Sequence, residues 1–270
     1  CIRDSYNSDR ILSHGVITHD EAKKNYQVNP TLKAMLDDIQ AKYKADSSKV
    51  VIENSPVKLS GDRMDVRVRE TNLGNVVADA LLDYGQSGFS HKSNLAVTNG
   101  GGLRETIAKD KPVTKGDIIA VLPFGNSVAQ IQVTGQNIYD MFVKSLGSIL
   151  QVDESGKNVL DENGQPLLEP SGGFLQVAGA RVYYDTTLPT EKRILSIDIL
   201  DPETKAYKPL DKTETYYLVT NDFLAAGGDG YTMLGGPREE GPSMDSIFAD
   251  YLATADPVSY THLTLPTKRI

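Results

Sequence analysis

Tryptophan is missing from this 270-residue chain, and cysteine occurs once, at position 1. A lone cysteine excludes an intrachain disulfide and a thiolate-rich metal centre. It does not fix the cellular compartment. Histidine is scarce, with four in all. His14 and His19 stand close together in Ser13-His-Gly-Val-Ile-Thr-His-Asp20, but no further ligand types cluster beside them, and the stretch makes a poor metal site. Long apolar runs are lacking too. Nothing approaches the roughly 20 residues of a membrane-spanning helix, and no secretory leader heads the chain. Nor is there an excess of positive charge. The net charge is −8, which argues against a general nucleic-acid binder but leaves room for a few local arginines around a small anion. The chain also lacks an initiator Met and reads as a piece of a longer protein.

The remainder is ordinary for a globular protein: 39% apolar and 24% charged residues, long enough for one large domain or two small ones. Residues 1–27 are polar and without periodicity. Leu32, Met35, Leu36, Ile39 and Tyr43 then recur at helical spacing after Asn29-Pro30, which predicts a linker helix within 28–49. Val50-Val51-Ile52 reads as a strand. Leu73, Val76, Val77, Ala80, Leu81 and Tyr84 predict a helix capped by Thr71 or Asn72. Arg67 and Arg69 arrive just before it, where an anion is favoured. Arg69 has a second reading, as a partner for Glu70 or another nearby carboxylate. On an extended segment Arg67 would face the other way.

The organising stretch is Asn99-Gly-Gly-Gly-Leu-Arg104. It follows the buried-strand pattern Leu95-Ala96-Val97. Three glycines at a strand end allow a sharp turn whose exposed N–H groups, with Arg104 reaching back, suit a phosphate. The competing reading is a tight turn with Arg104 on a surface carboxylate. Thr114 can cap a short helix from Lys115 to Val121, which Pro123 ends. Phe124, between Pro and Gly, is either an exposed aromatic or a core plug. Val128–Val133 alternates as a half-buried strand does, and Thr134-Gly135 turns into a helix carrying Ile138, Met141, Phe142 and Leu146. Residues 151–172 read as an exposed insertion. Strands are predicted over Phe174–Tyr184, Arg193–Leu200 and Tyr216–Thr220, and a last helix over Ser243–Leu252. The Tyr216–Thr220 strand runs into Asn221-Asp-Phe-Leu-Ala-Ala-Gly-Gly-Asp-Gly-Tyr231. There Phe223 precedes the glycines, and Asp229 either accepts from two hydroxyls, as on a ribose, or caps a turn. Residues 257–270, which include His262, look like a translated adaptor read, and Cys1–Ser5 has a similar character. Both ends are set aside.

Five motifs occur in order: Arg67-x-Arg-Glu-Thr-Asn-Leu-Gly-Asn, Asn99-Gly-Gly-Gly-x-Arg104, Leu122-Pro-Phe-Gly-Asn, Gly173-Phe-Leu-Gln-Val and Asn221-x-Phe-Leu-Ala-x-Gly-Gly-Asp-Gly. Together they closely resemble the C-terminal, substrate-binding domain of the 5′-nucleotidase family, over roughly residues 50 to 255. The resemblance implies an α+β fold of mixed β-sheets packed with helices in layers. It divides the chain into a tail of an N-terminal metallophosphoesterase domain (1–27), a linker helix (28–49), a nucleotide-binding domain (50–256) and a non-native tail (257–270). It further implies that Phe124 and Phe223 clamp a nucleobase, that Asp229 holds ribose hydroxyls, that Arg67 and Arg104 hold phosphate, and that Asn99 contacts the nucleoside. Some members carry an arginine where Asn75 stands, which leaves one phosphate contact open.

In that family two divalent metals about 3.5–4 Å apart do the hydrolysis in a separate N-terminal domain. Its ligand motifs do not occur here. The resemblance thus implies no metal or other cofactor on this chain, a nucleotide or nucleoside ligand such as AMP, the N-terminal catalytic domain as partner, no catalytic residue in the chain itself, and an extracellular, periplasmic or cell-surface setting. Mononucleotides, nucleotide sugars and cyclic nucleotides all fit such a clamp. The alternative is a free-standing nucleotide-binding module without catalysis.

Overall fold

A computed structural model describes residues 15–161 and 164–254. His14, His262, Cys1–Ser5 and the 257–270 tail lie outside the described residues. The chain divides into two compact units at Asp46/Ser47. The first carries α1 (His19–Asn25) and most of α2 (Pro30–Ser47). Thr18 and Glu21 form a capping box that starts α1, satisfying two orphan N–H groups at once. Asn29 Oδ1 accepts from the N–H groups of Thr31 and Leu32 at the start of α2. The predicted stripe of Leu32, Met35, Leu36, Ile39 and Tyr43 is helical as expected, and every one of the five is exposed.

The second unit holds β1 (Val50–Ile52), α3 (Asn72–Tyr84), β2 (Leu95–Asn99), β3 (Val113–Thr114), α4 (Lys115–Val121), β4 (Ser127–Thr134), α5 (Gly135–Ser145), β5 (Leu175–Ala178), β6 (Ala180–Tyr184), β7 (Ile194–Leu200), β8 (Tyr207–Pro209), β9 (Thr215–Asn221), α6 (Asp222–Ala225), β10 (Arg238–Ser243) and α7 (Met244–Thr254). A five-stranded sheet in the order β10-β4-β9-β2-β5 is its backbone. Only the β2/β9 pair in it is parallel. A three-stranded antiparallel sheet β6-β7-β8 and the small β1-β3 pair complete the set.

Side-chain alternation gives this sheet two buried faces. Leu95, Val97, Ile131, Val133 and Leu218 point into one core with α5 and the three-stranded sheet. Ala96, Val128 and Val219 point into the other, with α3, α4 and α7. The result is the layered α+β arrangement that the motif set implied. Capping explains where the helices start. Thr71 accepts from Gly74 N–H to begin α3, while Thr114 and Thr134 form capping boxes with Asp117 and Asn137 for α4 and α5. Of the two predicted caps for α3, Asn72 instead bridges to the preceding loop, accepting from Ser60 N–H and donating to the Lys58 carbonyl.

Three sequence expectations change. The single strand over Phe174–Tyr184 is two strands in two different sheets. Gly179 separates them at φ +74°, and a Cβ there would lie 2.3 Å from the Asn94 carbonyl oxygen. A residue with a side chain cannot make that crossing. The insertion at 151–172 is not wholly exposed, because Leu168 is buried and pairs across a bridge with Leu150. The segment carrying Arg67 and Arg69 is not extended but tightly turned: Val66 N–H donates to the Asp62 carbonyl, and Val68 and Arg69 N–H to that of Asp65. Alternation therefore does not separate the two arginines. What does is Asp65, which takes Arg69 in a pair of hydrogen bonds at 2.6 and 3.0 Å. Asp65 is thus the nearby carboxylate that one reading held for Arg69.

Candidate functional site

The parallel strands β2 and β9 end side by side, at Asn99 and Asn221. Strand β4 runs antiparallel to β9 with Val128 opposite Asn221, so the loop before β4 emerges at the same sheet edge. Three loops and one turn thus converge there, and they carry all six residues singled out from the sequence.

A chain of amides ties the loops after β2 and β9 together. Asn221 Oδ1 accepts from Leu224 N–H at 2.8 Å and so starts α6. Its Nδ2 donates to Asn99 Oδ1 at 3.1 Å, and Asn99 Nδ2 donates to Asp229 Oδ2 at 2.8 Å. Asn99 and Asn221 are buried, whereas Asp229 is exposed and keeps acceptor capacity for another donor. Asp229 sits at φ +51° between Gly228 and Gly230. A non-glycine residue in that region is uncommon, and strain of this kind collects at ligand-binding turns.

Phe124 is 59% exposed and Phe223 44%. Large apolar rings at a sheet edge gain nothing for folding there, so the reading of Phe124 as a core plug does not hold. Their spacing is braced by Asn126 Nδ2 donating to Asp222 Oδ1 at 2.6 Å, which links the residue two after Phe124 to the one before Phe223. Gly228 gives the Phe223 ring its seat, since a Cβ at Gly228 would come within 2.6 Å of it. The Arg104 guanidinium carbon lies 5.5 Å from the Phe124 ring centroid, within cation–π range. One Arg104 N–H donates to the Gly101 carbonyl at 3.3 Å.

The triple glycine turns out to serve close packing. Gly100 N–H donates to the Phe174 carbonyl at 2.7 Å and Gly101 N–H to that of Gly172 at 2.8 Å. Those two N–H groups are taken by backbone and do not face an anion, which corrects the phosphate-cradle reading of the turn. A Cβ on Gly100 would lie 1.9 Å from the Val66 carbonyl oxygen. That close approach seats the Arg67 turn against the end of β2. Gln176 clamps the same turn, with Nε2 donating to the Val66 and Arg69 carbonyls and Oε1 accepting from Thr71 N–H.

Arg67 Nε is buried without a hydrogen-bond partner among the described residues. Burial, followed by the neighbouring charges of Arg63 and Arg104, lowers the Arg67 pKa, and Asp229 acts the other way. A guanidinium stays charged through such a shift. Two or three like charges gathered beside an orphaned N–H form a site short of negative charge. Asn75 is buried and donates to Glu70 Oε1 at 2.5 Å. The chemistry is that of a binder: stacking faces, an acceptor-only carboxylate and cationic donors in one cluster. A divalent metal does not fit it, because the arginines repel one and the single carboxylate already accepts from Asn99. Among the described residues no group of three or more His, Cys, Asp or Glu side chains is arranged to hold a metal.

Sequence reasoning missed Asn126, Asp222 and Gln176 as supports of the candidate site. Asn126 and Gln176 stand at fixed positions of the quoted motifs, which was the available signal, whereas Asp222 stands at an unspecified one. Arg63 lay outside them all.

This layered α+β domain groups two exposed aromatic rings, a carboxylate and arginines at one end of its central sheet. The comparisons with known proteins give its family. The family described as 5′-nucleotidase, C-terminal domain, matches residues 50–236. The chain belongs to that family. It is 32% identical over 241 residues to the snake venom 5′-nucleotidase of Naja atra, covering 85% of this chain and 42% of that one. It is 31% identical over 245 residues to the trifunctional nucleotide phosphoesterase protein YfkN of Bacillus subtilis, covering 88% of this chain and 15% of that one. Among solved structures, a 5′-nucleotidase precursor from Thermus thermophilus superposes with a TM-score of 0.64 at 33% identity, over 83% of this chain and 40% of that one. The chain spans less than half the length of each of these relatives.

Proposed function

We propose that this chain is the nucleotide-recognition part of a 5′-nucleotidase-type phosphoester hydrolase acting in nucleotide catabolism. The nucleobase stacks between Phe124 and Phe223, the ribose hydroxyls donate to Asp229 with Asn99 beside them, and Arg67 and Arg104 hold the phosphate. Residues 28–49 link this part to an N-terminal domain that supplies two divalent metals and cleaves the ester. The setting is extracellular, periplasmic or at the cell surface, where relatives named as venom 5′-nucleotidases act. The observation that carries the reading is the shared sheet edge. Two exposed phenylalanines and a strained aspartate stand on loops joined by hydrogen bonds, beside a Gln176-held turn that carries an arginine with an orphaned Nε.

Base-on-aromatic stacking is worth roughly 1–3 kcal/mol and tolerates different bases. Charge-assisted bonds from arginine to phosphate add to it. The test is calorimetric titration of the chain with AMP and with adenosine, followed by a phosphate-release assay with added manganese. Saturable binding, tighter for AMP, without phosphate release is expected. Phosphate release would overturn the assignment of catalysis to another domain, and absence of binding at millimolar ligand would overturn the clamp.

A further inference from the structure

A cavity of about 110 Å³ lies where the chain crosses from the five-stranded to the three-stranded sheet at Gly179. Its walls come from α3, α5, β5, β6 and Tyr207, and none of the six nucleotide-site candidates lines it. Phe174, Val182 and Tyr184 are among its apolar lining. Besides Asn75, Ser145 and Gln176, the polar lining holds Glu70, which already accepts from Asn75, together with Asp79, Arg181 and Tyr207. The volume is a little below that of an engineered cavity that takes benzene, ~150 Å³.

Asp79 is the unexplained member. No hydrogen bond or ion pair joins its carboxyl to another described residue. Burial, then the charges of Glu70 and Asp83, push its pKa up to about 7. Arg181 is the one basic residue in the lining, and it does not neutralise Asp79. Its guanidinium stacks on Tyr207, 3.9 Å from the ring centroid. A half-buried carboxyl that no neighbouring side chain pairs keeps its acceptor capacity for a bound group. A cation of the right size would satisfy it.

We propose that this cavity is a second ligand site, which takes the ammonium group of a small amine on Asp79 with the amine's apolar body against Phe174, Val182 and Tyr184. The site is independent of the nucleotide reading.

The experiment is an amide NMR titration of the full chain with benzylamine, and with benzyl alcohol as its uncharged counterpart. Benzylamine is expected to shift the amides of residues 75–79 and 178–182 saturably. The alcohol should bind about tenfold more weakly or worse, since a bond to a charged group is lost. Affinity for benzylamine should rise as pH passes upward through 7 and Asp79 ionises, facing Glu70, Asp83, Arg181 and Tyr207. Asp79→Asn should remove both the preference and the pH dependence, and saturating AMP should leave them intact. Equal binding of amine and alcohol would overturn the proposal. So would a lack of saturation, shifts confined to other residues, or displacement by AMP. The comparison of the two probes on the unaltered chain stands whether or not the variant folds.

Discussion

Replacing Phe124 by alanine separates binding from folding with unusual clarity. The ring is more than half exposed, so its removal takes little apolar surface out of the core. Surface substitutions of this kind usually fall within about 0.5 kcal/mol in stability. If the ring is one jaw of a base clamp, its loss should weaken adenosine binding by roughly 1–3 kcal/mol, a factor of about 5 to 150 in Kd. Adenosine is the right probe because it carries no phosphate, so Arg67 and Arg104 drop out of the comparison. Phe223→Ala should weaken it at least as much. The Phe223 ring also seats against Gly228, the residue before Asp229, so its loss should loosen the Asp229 turn as well. The assay is calorimetric titration of both variants beside thermal unfolding of each. Unchanged adenosine affinity in Phe124→Ala, with the melting temperature also unchanged, would refute the clamp. A large fall in melting temperature would instead show that the ring supports the fold.

Further outcomes follow from the same geometry. Arg67→Ala and Arg104→Ala should each weaken AMP by roughly 1.5–3 kcal/mol while leaving adenosine nearly unaffected, measured as the ratio of the two dissociation constants. Asn99→Leu leaves Asp229 and Asn221 without their partner, which should destabilise the chain by about 1–3 kcal/mol in urea unfolding and weaken adenosine as well. Gly100→Ala forces a Cβ to within 1.9 Å of the Val66 carbonyl and should cost about 1–3 kcal/mol or more through overpacking, with AMP binding lost because the Arg67 turn moves. Asp79 gives a pH signature. Its folded-state pKa of about 7 lies above its ordinary value of 3.8. The folded state therefore holds more protons than the unfolded state between those values, and its stability falls as pH rises across that window. The loss is at most a few kcal/mol, at ~1.4 kcal/mol per unit. Asp79→Asn should flatten that part of the stability profile and be the more stable form at pH 8. A profile identical to that of the unaltered chain would rule out Asp79 as its source.

How much was legible in the sequence depended on the range of the forces involved. Helix starts were readable because capping is local: Thr71, Thr114 and Thr134 each act on an N–H three residues away. The strands β2, β4 and β9 were readable because burial imposes a pattern on consecutive residues. Contacts between segments distant in the chain were not readable. The role of the triple glycine came from the Val66 carbonyl, which arrives over Gly100 from another segment. The break at Gly179 came from the Asn94 carbonyl in the same way. Arg193 is buried and donates to the carbonyls of Leu146, Ser148 and Leu188 around the end of α5, and no local pattern marks it. The candidate site was legible as a set of residue types through the ordered motifs. Its bracing was legible only afterwards, because Asn126–Asp222 and Asn99–Asp229 join residues 96 and 130 positions apart.

The central claim is that Phe124, Phe223, Asp229, Arg67 and Arg104 act as one nucleotide site. A crystal structure of the chain with bound AMP tests it most directly. The account predicts the adenine ring between the two phenylalanines, a ribose hydroxyl on Asp229 and the phosphate within reach of both arginines. An ordered AMP elsewhere on the chain, or one whose base touches neither phenylalanine, would contradict it.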